Sequence, residues 1–145
     1  LLDDVNKVFN EETALTWACQ TSFDNLEVIE GLVNKNADIN FQGKKEYTCL
    51  MYLVENELID ILTYFIELPN LDFNLINTYG ETVLHIAVDN MAFEALDIIL
   101  DKKDKLDFLI KDVDGLTARE LALSLAEDNP DYKDKLLEVA DRLKK

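Results

Sequence analysis

One spacing governs what this chain can fold into. A threonine opens a short apolar pattern four times: "TALTWA" at Thr13, "TCLMYL" at Thr48, "TVLHIA" at Thr82 and "TARELA" at Thr117. The intervals are 35, 34 and 35 residues. Each pattern leads to a second one: "LEVIEGLV" from Leu26, "LIDILTYFI" from Leu58, "FEALDIIL" from Phe93 and "YKDKLLEVADRL" from Tyr132. After three of these comes a matching tail: "ADIN" at Ala37, "LDFN" at Leu71 and "LDFL" at Leu106. Three markers in one phase point to stacked units rather than a closed globule.

The unit reads as helix, turn, helix, loop. Threonine before each first helix can cap it, because its hydroxyl accepts a bond from a free N–H of the first turn. The first helix keeps small residues on one side, as at Ala18 and Ala87, so neighbours can approach closely. The second helix carries apolar residues at spacings of three and four: Leu58, Ile61, Leu62 and Phe65 in one unit, Phe93, Leu96 and Leu100 in the next. One helix pair cannot cover its own stripe, and stacking on neighbours covers it.

The pattern Thr-x-Leu-His-x-Ala at Thr82, a second amphipathic helix, then a tail such as Ala37-Asp38-Ile39-Asn40, resembles the ankyrin repeat. The resemblance spans the whole chain and implies an all-α, helix-turn-helix repeat solenoid with short hairpin-like loops. It gives a single domain over 1–145, with units at about 10–42, 43–76, 77–111 and 112–145. Residues 1–9 read as the end of a preceding unit, with Leu1 and Leu2 closing a truncated second helix. With no initiator methionine, the chain is expected to be an excerpt of something longer. Inserts are expected at Thr21 to Asn25, at Pro69–Asn70 and at Lys102 to Lys105.

The departures from the family pattern are specific. The proline usual after the threonine is replaced by Ala14, Cys49, Val83 and Ala118. The glycine two residues before the threonine survives as Gly80 and Gly115, whereas Glu11 and Glu46 occupy the other two loops. Those two loops are expected to miss the usual tight turn, which favours a residue free to take positive φ. The glycine between the helices is also lost, at Ser22, Glu57 and Met91. Arg119 and Glu120 replace the Leu-His pair in the last unit, which reads as a terminal cap ending in "DRLKK".

Composition narrows the function. With 30 acidic and 14 basic side chains, the formal net charge is −16. Such a surface repels nucleic acid and anionic lipid and attracts basic partners. At 48% hydrophobic the chain can bury a core. Its most apolar window, "LMYLVENELIDILTYFIEL", is broken by Glu55, Glu57 and Asp60, so direct membrane insertion is not expected. Cys19 and Cys49 are too few for a disulfide framework or a zinc site and read as inert, small packing groups. These features favour a reducing compartment, cytoplasmic or nuclear. Abundant Asn, Lys, Ile and Asp fit an AT-rich genome, and the compartment would be a host cytosol if the chain is a secreted bacterial effector.

No catalytic residue, cofactor or metal site is expected. No P-loop, G-x-G-x-x-G, H-E-x-x-H or G-x-S-x-G motif occurs. Aligning Gly115 with the glycine of a calcium loop puts Ile110 and Leu121 at positions that must be acidic, so that match fails. His85 is the only histidine and has no second histidine with which to relay protons or ligate a metal. The resemblance implies instead that it ties adjacent loops by hydrogen bonds. Trp17 and Tyr52 share a column and are expected to pack between neighbouring first helices.

The resemblance implies a concave groove, formed by loop tips and first helices, that grips another protein or peptide. Transferred by position, the partner-binding set is Gln20, Lys45, Tyr47, Glu55, Asn56, Ile76, Thr78, Tyr79, Glu81, Asp89, Asn90, Val113, Asp114, Leu116 and Leu125. Gln42, Lys44, Lys111, Thr21 and Ser124 flank it. The expected function is a non-catalytic protein–protein interaction module, monomeric in isolation, for a basic segment with apolar anchors. The alternative is an architectural spacer or scaffold within a larger multidomain protein, such as a bacterial effector or a regulatory protein.

Overall fold

The computed structural model describes residues 4–21 and 25–144. Eight α-helices among them form four pairs: α1 (Ala14–Gln20) with α2 (Leu26–Asn34), α3 (Cys49–Glu55) with α4 (Ile59–Phe65), α5 (Val83–Asp89) with α6 (Phe93–Leu100), and α7 (Ala118–Asp128) with α8 (Lys133–Arg142). The described residues contain no strand, only one isolated bridge between Phe9 and Glu12. First helices pack in series, α1 on α3, α3 on α5, α5 on α7, and α4 packs on α6. The all-α repeat stack read from the 34–35-residue period is therefore the observed architecture. Leu1, Leu2 and Ser22 lie outside the described residues.

The threonines start the first helices as their hydroxyl chemistry dictates. Thr13, Thr48 and Thr117 Oγ1 accept the N–H of Thr16, Met51 and Glu120 at 3.3, 3.2 and 3.2 Å. Thr82 occupies the same N-cap position of α5. Leu15, Leu50 and Leu84, two residues after three of these caps, are fully buried. From the second helices Ile29, Ile61, Leu62, Phe65, Leu96 and Ile99 complete the core. Each such side chain stabilises the fold by about 2 kcal/mol. Ala18, Ala87 and Ala122 are buried where first helices meet. The last first helix, α7, has 11 residues against seven in α1, α3 and α5.

The loops correct one expectation. Glu11 and Glu46 do take the left-handed conformation, with φ of 67° and 59°, as do Glu57 and Met91 between paired helices. The repeat geometry is kept without glycine. The local strain of an L-residue there, about 1–2 kcal/mol, is overcome by the packing on either side.

A ladder absent from the sequence reading joins the tails. Asn6 Oδ1 accepts the N–H of Asp38 at 2.6 Å, and its Nδ2 donates to Asn36 O. Asn40 does the same to Asp72 and Asn70, and Asn74 to Asp107 and Lys105. In each tail the preceding aspartate accepts the N–H two residues on: Asp4 from Asn6, Asp38 from Asn40, Asp72 from Asn74, Asp107 from Leu109. In the first three of these tails this Asx geometry places the asparagine where it reaches the next one.

Candidate functional site

The loop tips build one face of the array. Each closes on itself: Gly43 N–H donates to Tyr47 O, Asn77 to Glu81 O and Asp112 to Leu116 O, at 2.9, 3.1 and 2.9 Å. Successive tips are then bonded to one another. Thr78 N–H donates to Lys45 O and Val113 N–H to Tyr79 O, both at 3.0 Å, and Gln42 Nε2 donates to Ile76 O at 2.7 Å. Tips tied in this way hold their side chains at a fixed pitch.

Two ties are made by side chains from below. Thr82 N–H donates to His85 Nδ1 at 3.1 Å, which makes that nitrogen the acceptor. The proton therefore sits on Nε2, which donates to Leu116 O at 2.8 Å. His85 is buried and links the third unit to the fourth loop. In the first unit the tie is Glu12, only 4% exposed, whose Oε1 accepts Lys44 N–H at 3.1 Å. A Cβ on Gly43 would stand 2.3 Å from Glu12 Oε2, so that approach requires glycine.

Between the second and third tips lies a cavity of about 240 Å³, lined by Lys44, Lys45, Tyr47, Tyr52, Glu55 and Tyr79. The rings of Tyr47 and Tyr52 are tilted by 36° with centroids 5.1 Å apart. Tyr47 OH lies 3.5 Å from Glu55 Oε1, and Tyr52 OH lies 3.5 Å from Glu12 Oε1. Burial, then the charges of Glu55 and Glu81, push the Tyr47 phenol well above its ordinary value. Burial, then Glu12, push Tyr52 up to about 12. Both phenols stay protonated, in a field set by carboxylates.

Of the sequence-derived set, the structure brings together Lys45, Tyr47, Glu55 and Tyr79 at this cavity, with Glu81 acting on Tyr47. Ile76, Thr78, Val113 and Asp114 are exposed along the same row of tips, and Asn56, Asp89 and Asn90 are exposed at the ends of α3 and α5. Asn90 folds onto its own helix, as Gln20 does, donating to Ile86 O and Thr16 O. Leu116 and Leu125 are half-buried. Tyr52 and Glu12 were missed as parts of the site. Their signal was a tyrosine one helical turn after a cap and a glutamate directly before one.

Two further readings are corrected. Trp17 does not pack between first helices, since it is 50% exposed, whereas Tyr52 is half-buried against the core and also pairs with Tyr47. Cys19 and Cys49 are not separate, inert packing groups. They form a disulfide between the stacked α1 and α3, with Cα atoms 5.4 Å apart. Their separation of 30 residues differs from the repeat, so no shared column marks them as partners.

A run of helix pairs in register, tied through capped loops, defines a helical repeat protein of the interaction type. Residues 15–112 match the family described as ankyrin repeats (3 copies), and the chain belongs to it. Ankyrin repeats are in general protein–protein interaction modules without catalytic activity of their own. Among the described residues no cluster of His, Cys, Asp or Glu could hold a metal ion, and no helix is long and apolar enough to cross a membrane.

Proposed function

We propose that this chain holds a segment of a partner protein, basic and with at least one apolar anchor, on the face made by its loop tips and first helices. The observation that carries the reading is the convergence of Lys45, Tyr47, Glu55 and Tyr79 on one cavity in the middle of that face. Half-exposed tyrosines among polar groups are typical interface anchors. Exposed Ile76 and Val113 extend the apolar contact along the tips. The net charge of −16 speeds the approach of a basic partner more than it tightens the complex.

Replacing Tyr47 and Tyr79 together by alanine is expected to weaken the partner at least thirtyfold, about 2 kcal/mol. An intact helical spectrum with unchanged affinity would place the binding surface elsewhere. Raising salt from about 0.05 to 0.3 M is expected to slow association several-fold. A rate indifferent to salt removes the basic character of the partner.

The second reading is a spacer or scaffold segment of a larger protein. Asn6 favours it, because it bonds the next tail in the manner of Asn40 and Asn74. Residues 4–9 thus act as the tail of a unit in the same register. Binding that survives every substitution on the loop-tip face would favour this reading.

A further inference from the structure

The cavity at the second and third tips has a chemistry narrower than "interaction surface". Three phenol rings, Tyr47, Tyr52 and Tyr79, come from two loops and one helix to line it. An aromatic face carries negative potential and attracts a cation set against it. Glu55 stands at the wall, exposed, with one oxygen at the outer limit of a bond to Tyr47 OH. It therefore keeps lone pairs for a guest. Beneath Tyr52, the buried Glu12 has one oxygen, Oε2, without a hydrogen-bond partner. Neither carboxylate forms an ion pair with any described residue. The ion pairs among the described residues, Lys102–Glu67, Lys135–Glu138, Arg142–Asp97 and Lys144–Asp141, all lie elsewhere.

We propose that this cavity is a socket for one cationic side chain of the bound segment, a lysine ammonium or an arginine guanidinium, with Glu55 as its counter-charge. The proposal deepens the groove reading above and rests on it. The competing guest is an anion held by Lys44 and Lys45, which also line the cavity. The phenols decide between the two. After burial, the charged groups acting on Tyr47 and Tyr52 are the carboxylates Glu55, Glu81 and Glu12, so the floor repels an anion. The two lysines carry exposed side chains. They compete with a cationic guest rather than bind a partner's acid.

The test selects a displayed random decapeptide library against the whole chain and maps the winning peptides by amide chemical shifts. The expected winners shift the loop-tip amides and share one Lys or Arg. Replacing that residue by norleucine or citrulline lowers affinity at least tenfold against the native chain, and less than twofold against Glu55→Gln. Lys45→Ala tightens the native peptide several-fold. Both variants change exposed side chains, so folding is not at stake. Peptides that map to the loop tips but tolerate norleucine, or that bind more weakly to Lys45→Ala, overturn the socket and leave the groove standing. Peptides that map to the second helices, or a selection that yields none, overturn the groove and the socket with it.

Discussion

The first two units and the last two stack by the same geometry but hold it with different chemistry. In the third and fourth units, Gly80 and Gly115 supply the left-handed turn, with φ of 72° and 79°. Asn77 and Asp112 brace their own loops, each side chain accepting two backbone N–H groups at 2.9–3.0 Å. His85 carries the tie across to the next loop. In the first and second units none of these residues is present. Glu11 and Glu46 are held in the left-handed region, buried Glu12 reaches Lys44 N–H, and the Cys19–Cys49 bridge joins the first helices. The lesson is that the stack constrains backbone shape and inter-unit bonding, not the residues that provide them.

The comparison breaks most sharply at the disulfide. Closing a loop of 30 residues limits the unfolded chain enough to stabilise the fold by about 3–4 kcal/mol. Urea unfolding with and without reductant is expected to show that difference, with protection from hydrogen exchange lost first in α1 and α2. Cys19→Ser with Cys49→Ser should match the reduced protein. A loss below about 1 kcal/mol would mean that helix packing alone holds the first half.

His85→Ala is the corresponding break in the second half. It removes the acceptor for Thr82 N–H, which is left buried without a partner, and one of the two donors to Leu116 O, which keeps the bond from Asp112 N–H. The expected loss is about 2–3 kcal/mol, read from the urea midpoint at constant slope. Reduction should then add to it almost fully, because the bridge and the histidine share no residue. Strong non-additivity would show that the two halves do not stack independently of each other.

What was legible in the sequence follows the same divide. Thr13, Thr48, Thr82 and Thr117 announced the fold because capping needs a hydroxyl at a fixed place before an apolar pattern. His85 was legible through its resemblance to a family column. The Cys pair was not, because contact across stacked helices leaves no periodic trace. The asparagine ladder was visible in principle, since Asp4-Val5-Asn6 recurs as Asp38-Ile39-Asn40 and Asp72-Phe73-Asn74. Only the later tails were read as markers, and the bond from one tail to the next needed coordinates. At the candidate site, Tyr47, Tyr79 and Glu55 came from position in the repeat. Tyr52 was read as a packing group with Trp17, Ile86 and Leu121 in its column, and Glu12 was passed over although Tyr47, Glu81 and Leu116 of the site stand in its own column.

The turns allow the smallest and most symmetrical test. Glu46 sits at φ 59°, where an L-residue is strained, and its side chain is exposed. Glu46→Gly releases that strain but adds freedom to the unfolded chain, so the net gain is expected to be about 0.5–1 kcal/mol. Gly80→Ala is the mirror experiment. Its Cβ would stand 3.1 Å from Val113 N and 3.2 Å from Asp112 Cα at φ 72°. It would strain the backbone and press on the bond that ties the third tip to the fourth, with an expected loss of about 1–2 kcal/mol. Opposite signs in the two halves, measured in one urea series, mean that the first half keeps the turn against its own residues. A Glu46→Gly protein no more stable than the native one would mean that the strain in the second loop is no larger than the freedom glycine adds to the unfolded chain.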